Sequence, residues 1–113
     1  MTSASLHSLM QQAENEIQFD AAAYAMLEGA SDDEAKLFAI RHLNLHLMQT
    51  SGRLAAVCSG AEHGEVLDTK EVAAVVPESL IYVLRLARVA GLTSEQLTAA
   101  IDGQYKEWKE MYG

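Results

Sequence analysis

His42 and His46 stand four residues apart. On a helix that spacing aims both side chains the same way, and HxxxH is a pattern that can hold a transition metal. Two ligands are too few for a closed site. The Glu that metalloproteases place directly after the first His is Leu43 here. The pair is therefore expected to pack or hydrogen-bond, with no metal assigned to it. A second polar group, Glu62, His63, Glu65 and Asp68, falls in a Gly-containing connection and is expected to be solvated. Cys58 is the only cysteine, which excludes an intrachain disulfide. Its apolar surroundings predict a small buried thiol. The sequence holds no Gly-rich phosphate loop, nucleophile elbow or paired-Cys zinc pattern.

Charge narrows the partners. Sixteen acids against eight bases give a formal charge of −8, which repels phosphate backbones. Lys106 and Lys109 come nearest to a basic patch, but Glu107 and Glu110 alternate with them. No nucleic-acid partner is expected. No apolar run reaches the length of a membrane span. The first residues lack a basic region followed by an apolar one, so neither a signal peptide nor a membrane partner is expected, and the cytoplasm is the expected compartment.

Helices are expected to carry these residues. Half the residues are hydrophobic, rich in Ala and Leu, and there is one Pro. At 113 residues the chain is expected to be a single helical domain, 1–113. Leu6, Leu9, Met10, Ala13, Ile17, Ala21, Tyr24 and Leu27 recur every three or four residues, predicting a helix over about 5–27 with Gly29 as its stop. Ser31 with Glu34 three residues on is a capping-box pattern. It opens a second helix expected to run to about Cys58, where Ser59-Gly60 reads as a stop.

On that second helix Ile40, Leu43, Leu47, Leu54 and Val57 form one face, while Leu37, Phe38, Leu45 and Met48 lie on others. A helix apolar nearly all round must be buried on several sides, and in so small a protein a second subunit is the simplest cover. A third helical segment spans about 70–90. Pro77 either starts a new helix there or kinks a single one. Leu80, Leu84 and Ala87 share a face, and Gly91 ends the segment. Thr93 with Gln96 marks a fourth start, after which Leu97, Ile101, Tyr105, Trp108 and Tyr112 form a packing stripe. The expected fold is all-α, a four-to-five-helix bundle completed by oligomerisation.

Two stretches carry a family likeness. Arg41 to Val57 reads RHLNLHLMQTSGRLAAV, with Leu43, Leu45, Leu47, Gly52 and Leu54 in register with a helix written RNLxLxLxxExGELxEL. Ser79 to Leu92 reads SLIYVLRLARVAGL, similar to ELxDVLIYLLRLAxxxGI. Both patterns belong to the MazG-like, all-α nucleotide pyrophosphatases, which the chain resembles over about two thirds of its length. The resemblance implies a pocket between the two helices. There the family sets ExxE against ExxD to bind Mg²⁺ and split a nucleoside triphosphate into monophosphate and pyrophosphate.

In this chain the first carboxylate pair falls on Thr50 and Arg53, and the second on Val75 and Glu78. Only Glu78 keeps a carboxylate, and Arg53 brings a positive charge where the metal would sit. The expectation is a degenerate site: no catalytic residue, no cofactor, and Arg53 paired with Glu78 across the helices. His46 would lie nearby, and Thr50 and His42 would complete a polar pocket. That pocket either binds a nucleotide-like small molecule through Arg53 or is purely structural. Two alternatives stand beside it. One is an active Mg²⁺-dependent pyrophosphatase with a relocated site drawn from Glu14, Glu16, Asp20 or the 62–68 loop. The other is an interaction module unrelated to nucleotides. Self-association, as a homodimer or a dimer of dimers, is expected in the leading reading.

Overall fold

The computed structural model describes residues 5–16 and 24–113. Among them the order is α1 (Leu6–Glu16), a 3-10 turn (Ala25–Leu27), α2 (Asp32–Glu62), α3 (Thr69–Val89) and α4 (Ser94–Tyr112), with no strand. The all-α expectation holds for these residues.

Local chemistry accounts for the helix starts. Ser31 Oγ accepts from the Glu34 amide at 3.2 Å and donates to the Glu34 carboxylate at 3.1 Å. Asp32, Asp33 and Glu34 then place negative charge at the positive end of the α2 dipole. Asp68 caps α3 by accepting from the Glu71 amide at 3.0 Å. Thr93 and Gln96 form a full reciprocal capping box on α4. After α3, Gly91 takes φ +80° and lets the Leu92 amide reach back to the Ala87 carbonyl at 2.9 Å. That left-handed stop is open to Gly without penalty.

Several boundaries differ from the periodicity. Helix α1 is described as far as Glu16, and residues 24–27 are not α-helical, with a short 3-10 turn at Ala25–Leu27, so the expected helix does not reach Leu27; Ile17 and Ala21 lie outside the described residues. Helix α2 passes through Ser59-Gly60 and continues to Glu62. Gly64, at φ +89°, supplies the left-handed residue that follows its end. Pro77 neither starts a helix nor ends one: α3 continues through it as a single helix, so the first of the two alternatives is set aside. The amide that Pro77 lacks would have bonded Ala73, whose position is exposed, so water can serve that carbonyl.

Cys58 is exposed, against the expectation of burial. It follows Val57, which points toward α3, and one residue turns a helix by about 100°.

Helix α3 is the middle element. Helices α2 and α3 pack as an antiparallel hairpin, α1 lies on α3, and α4 touches α1. The seam between α2 and α3 follows spacings of three and four: Ala39, Leu43, His46, Thr50, Arg53 and Val57 against Glu71, Val75, Glu78 and Tyr82. Leu43 and Val75 are each 1 % exposed within it. The opposite side of α3 carries Leu84 and Ala87 into a second cluster with Met10 and Ala13 of α1, flanked by Leu6, Leu9, Leu92 and Leu97. Arg85 Nη1 donates to the Ala13 carbonyl there, and Arg88 pairs with Glu14 at 2.7 Å.

This core is thin for the chain's mass. The accessible surface is 8442 Å². A compact monomer of this mass exposes about 6,100 Å². The radius of gyration is 17.3 Å, where a compact domain of this length would have about 13 Å. Large apolar side chains contribute to the extra surface. Leu37, Ile40, Leu45 and Met48 of α2 are exposed on the side of the helix away from α3. The expected stripe on α4 covers only its first turn. Leu97 is half-buried, while Ile101, Tyr105, Trp108 and Tyr112 are exposed because α4 runs past the rest of the chain.

Candidate functional site

The α2–α3 seam sets polar side chains among buried aliphatic ones, Leu43 and Val75. Arg53 comes from the fourth turn-pair of α2 and faces two carboxylates of α3. Its Nη1 donates to Glu78 Oε2 at 2.5 Å and its Nε to Glu71 Oε1 at 2.6 Å. Glu71 and Glu78 are seven residues apart, two helical turns, so both reach the same guanidinium. Glu78 also accepts from the Tyr82 hydroxyl at 3.0 Å. The hydrogen bonds that Arg53 donates to Glu71 and Glu78 raise its pKa above the ordinary value. The Tyr82 hydrogen bond, followed by that of Arg53, holds Glu78 below the usual carboxylate range. Burial and the Glu78 contact push Tyr82 up.

A chain of rings continues the seam toward the start of α2. Tyr82 stacks on His46 with centroids 5.0 Å apart. His46 Nε2 lies 3.2 Å from His42 Nε2, and the Tyr24 hydroxyl lies 3.3 Å from the same His42 nitrogen. His42 stacks in turn on Phe38 at 5.5 Å. Burial, then the charge of His46, lowers the His42 pKa. Thr50 is 3 % exposed and donates to the Leu47 carbonyl at 2.8 Å, so its hydroxyl is engaged by its own helix.

The seam therefore places Arg53 against Glu78, with His46 joined to Glu78 through Tyr82. Val75 and Thr50, between them, are buried. Glu71 and Tyr82 belong to the cluster and were not singled out by sequence. Their signal was the 4-3-4 spacing of Glu71, Val75, Glu78 and Tyr82, which is visible only once α3 is known to run unbroken through Pro77. Among the described residues, no three His, Cys, Asp or Glu side chains converge as a metal-binding group. This includes the 62–68 loop. Glu14 is paired with Arg88; Asp20 and the Glu16 side chain lie outside the described residues. No described helix is long and apolar enough to cross a membrane.

The cluster makes a pH prediction. Glu78 faces Arg53 and Tyr82 directly, with Glu71 on the far side of the guanidinium and His46 beyond the Tyr82 ring. Because its folded pKa is depressed, its stabilisation is complete above the ordinary Glu pKa and is lost as pH falls through the lower folded value. Glu78→Gln is expected to lower Tm at neutral pH by about a few degrees, the modest size reflecting partial exposure. It should also flatten the fall of Tm between neutral and acid pH. Parallel Tm-against-pH curves for the two proteins would contradict this.

Compared with known proteins, the chain matches no family model, no curated protein and no solved structure. What the fold and site define is an all-α helical protein with an Arg–carboxylate clasp at the centre of its main hairpin.

Proposed function

We propose that the chain is a non-catalytic, self-associating helical protein with the layout of the MazG-like pyrophosphatases, in which an arginine takes the place of their metal. The observation that carries the self-association is the uncovered apolar surface. That surface runs along α2, α3 and α4, where large apolar side chains stand exposed beyond what a soluble monomer ordinarily shows. Leu37, Ile40, Leu45 and Met48 form its most concentrated part.

The Arg53 clasp supports the rest. Arg53 and Glu78 stand at two of the positions where the resemblance puts carboxylates around Mg²⁺, and Arg53, held also by Glu71, bridges the helices as the metal would. The cluster has a net negative formal charge and its guanidinium is engaged at two nitrogens, so it offers a phosphate little. Assembly is accordingly preferred to nucleotide binding.

The test has two arms. Incubation with a panel of nucleoside triphosphates and Mg²⁺ is expected to release no pyrophosphate. Light scattering at micromolar concentration is expected to give at least twice the 12.3 kDa of one chain. Pyrophosphate release that Glu78→Gln abolishes would overturn the first half, and a clean monomer would overturn the second.

A further inference from the structure

The geometry points to a labile transition-metal site at His42 and His46, a two-imidazole chelate for a borderline divalent ion such as Cu²⁺ or Zn²⁺. This site lies about two to three turns up α2 from the Arg53 clasp and does not depend on how the chain assembles.

Spacing alone does not make such a site, since two histidines four apart on a helix can point their nitrogens in many directions. Here both rings present Nε2 to each other at 3.2 Å. Zinc bonds imidazole nitrogen at about 2.0–2.1 Å, so two nitrogens on one ion lie about 2.9 Å apart at a right angle and about 3.3 Å apart at a tetrahedral angle. The observed separation falls inside that bite. Without metal the two nitrogens share one proton, one donating and the other accepting. An ion entering between them displaces that proton, which the donor ring can carry on Nδ1 instead. Both imidazoles then ligate as neutral groups.

The rings are also held in place. Tyr82 stacks on His46 with an interplanar angle of 22°, and Phe38 stacks on His42 at 16°. Neither ring must give up much rotational freedom on binding, which is the role that surrounding contacts play at metal-ligating histidines. The Tyr24 hydroxyl, 3.3 Å from His42 Nε2, adds an oxygen beside the gap.

Ligand chemistry selects the ion. Imidazole nitrogen suits Cu²⁺, Zn²⁺ and Ni²⁺, whereas Mg²⁺ demands oxygen. Because no third His, Cys, Asp or Glu of the described residues joins the pair, at least one coordination position stays open to water. The ion should therefore exchange readily and leave with a chelator.

The intact protein, stripped with a chelator, would be titrated with CuCl₂ and followed by electron paramagnetic resonance and by Tm, with ZnCl₂ and MgCl₂ titrated in parallel. The expected result is one Cu²⁺ per chain with hyperfine splitting from two nitrogens and a rise in Tm with Cu²⁺ or Zn²⁺. His46→Gln should lose at least tenfold in affinity and keep only one-nitrogen splitting or none. The paired change His7→Gln with His63→Gln, at exposed histidines elsewhere, should leave the signal intact. Circular dichroism would establish that His46→Gln is folded; if it is not, His42→Gln serves as the second variant. The proposal is overturned if neither folded His variant changes Cu²⁺ affinity, if the His7/His63 change removes the signal, or if Mg²⁺ raises Tm as much as Zn²⁺ does.

Discussion

Leu84→Ala is expected to destabilise the fold by about 2–5 kcal/mol, enough to remove a large part of the stability of a domain this size. Leu84 is 3 % exposed and lies where α3 meets α1, against Met10, Ala13 and Ala87. Two of those three neighbours are alanines, which are too short to collapse into the space the missing carbons would leave. The loss therefore combines transfer free energy with a residual cavity. The fall in Tm should be on the order of 10 °C or more. Val66→Ala is the comparison: Val66 is 93 % exposed, and its truncation should change stability by less than about 0.5 kcal/mol. Urea denaturation at one fixed protein concentration would measure both, because association makes apparent stability depend on concentration. Equal midpoints for Leu84→Ala and Val66→Ala would show that the α1–α3 cluster is not the core.

The second large effect concerns assembly. Under the proposed self-association, Leu45→Glu combined with Met48→Glu is expected to give monomers, halving the mass or more. Leu45 is 52 % and Met48 62 % exposed, on the side of α2 that looks away from α3. In a dimer joined through that side, two carboxylates per chain would be buried without partners, at a cost of several kcal/mol each. In the isolated chain they would stand in water and harm little, so helical content should be kept. Light scattering with far-UV circular dichroism separates the cases. An unchanged mass with unchanged helicity would move the interface off this face of α2.

Much of the secondary structure lies within short reach along the chain. The starts at Ser31 and Thr93, the stop at Gly91 and the helical character of every long segment rest on interactions between residues at most five apart, so they are legible from a window of residues. The apolar wrapping of α2 was legible too, and the exposed Leu37, Leu45 and Met48 are its consequence in a single chain. The Arg53–Glu78 contact was anticipated only through a likeness between two stretches, since nothing in composition brings residues twenty-five apart together.

Tertiary structure decided the rest. Whether Pro77 breaks a helix depended on whether the carbonyl it leaves unpaired could meet water. The exposure of Cys58 depended on which face of α2 turned to α3. Glu71 joins the clasp because α3 continues unbroken two turns below Glu78, and Tyr82 joins it from one turn above. The setting of the His42 and His46 nitrogens also depended on Tyr82, which stacks on His46 from α3, and on Tyr24, which reaches His42 from ahead of α2. Periodicity says which residues share a face of a helix. It does not say which neighbour that face meets, because register between helices is set by contacts far apart in sequence, and several registers satisfy the same apolar pattern.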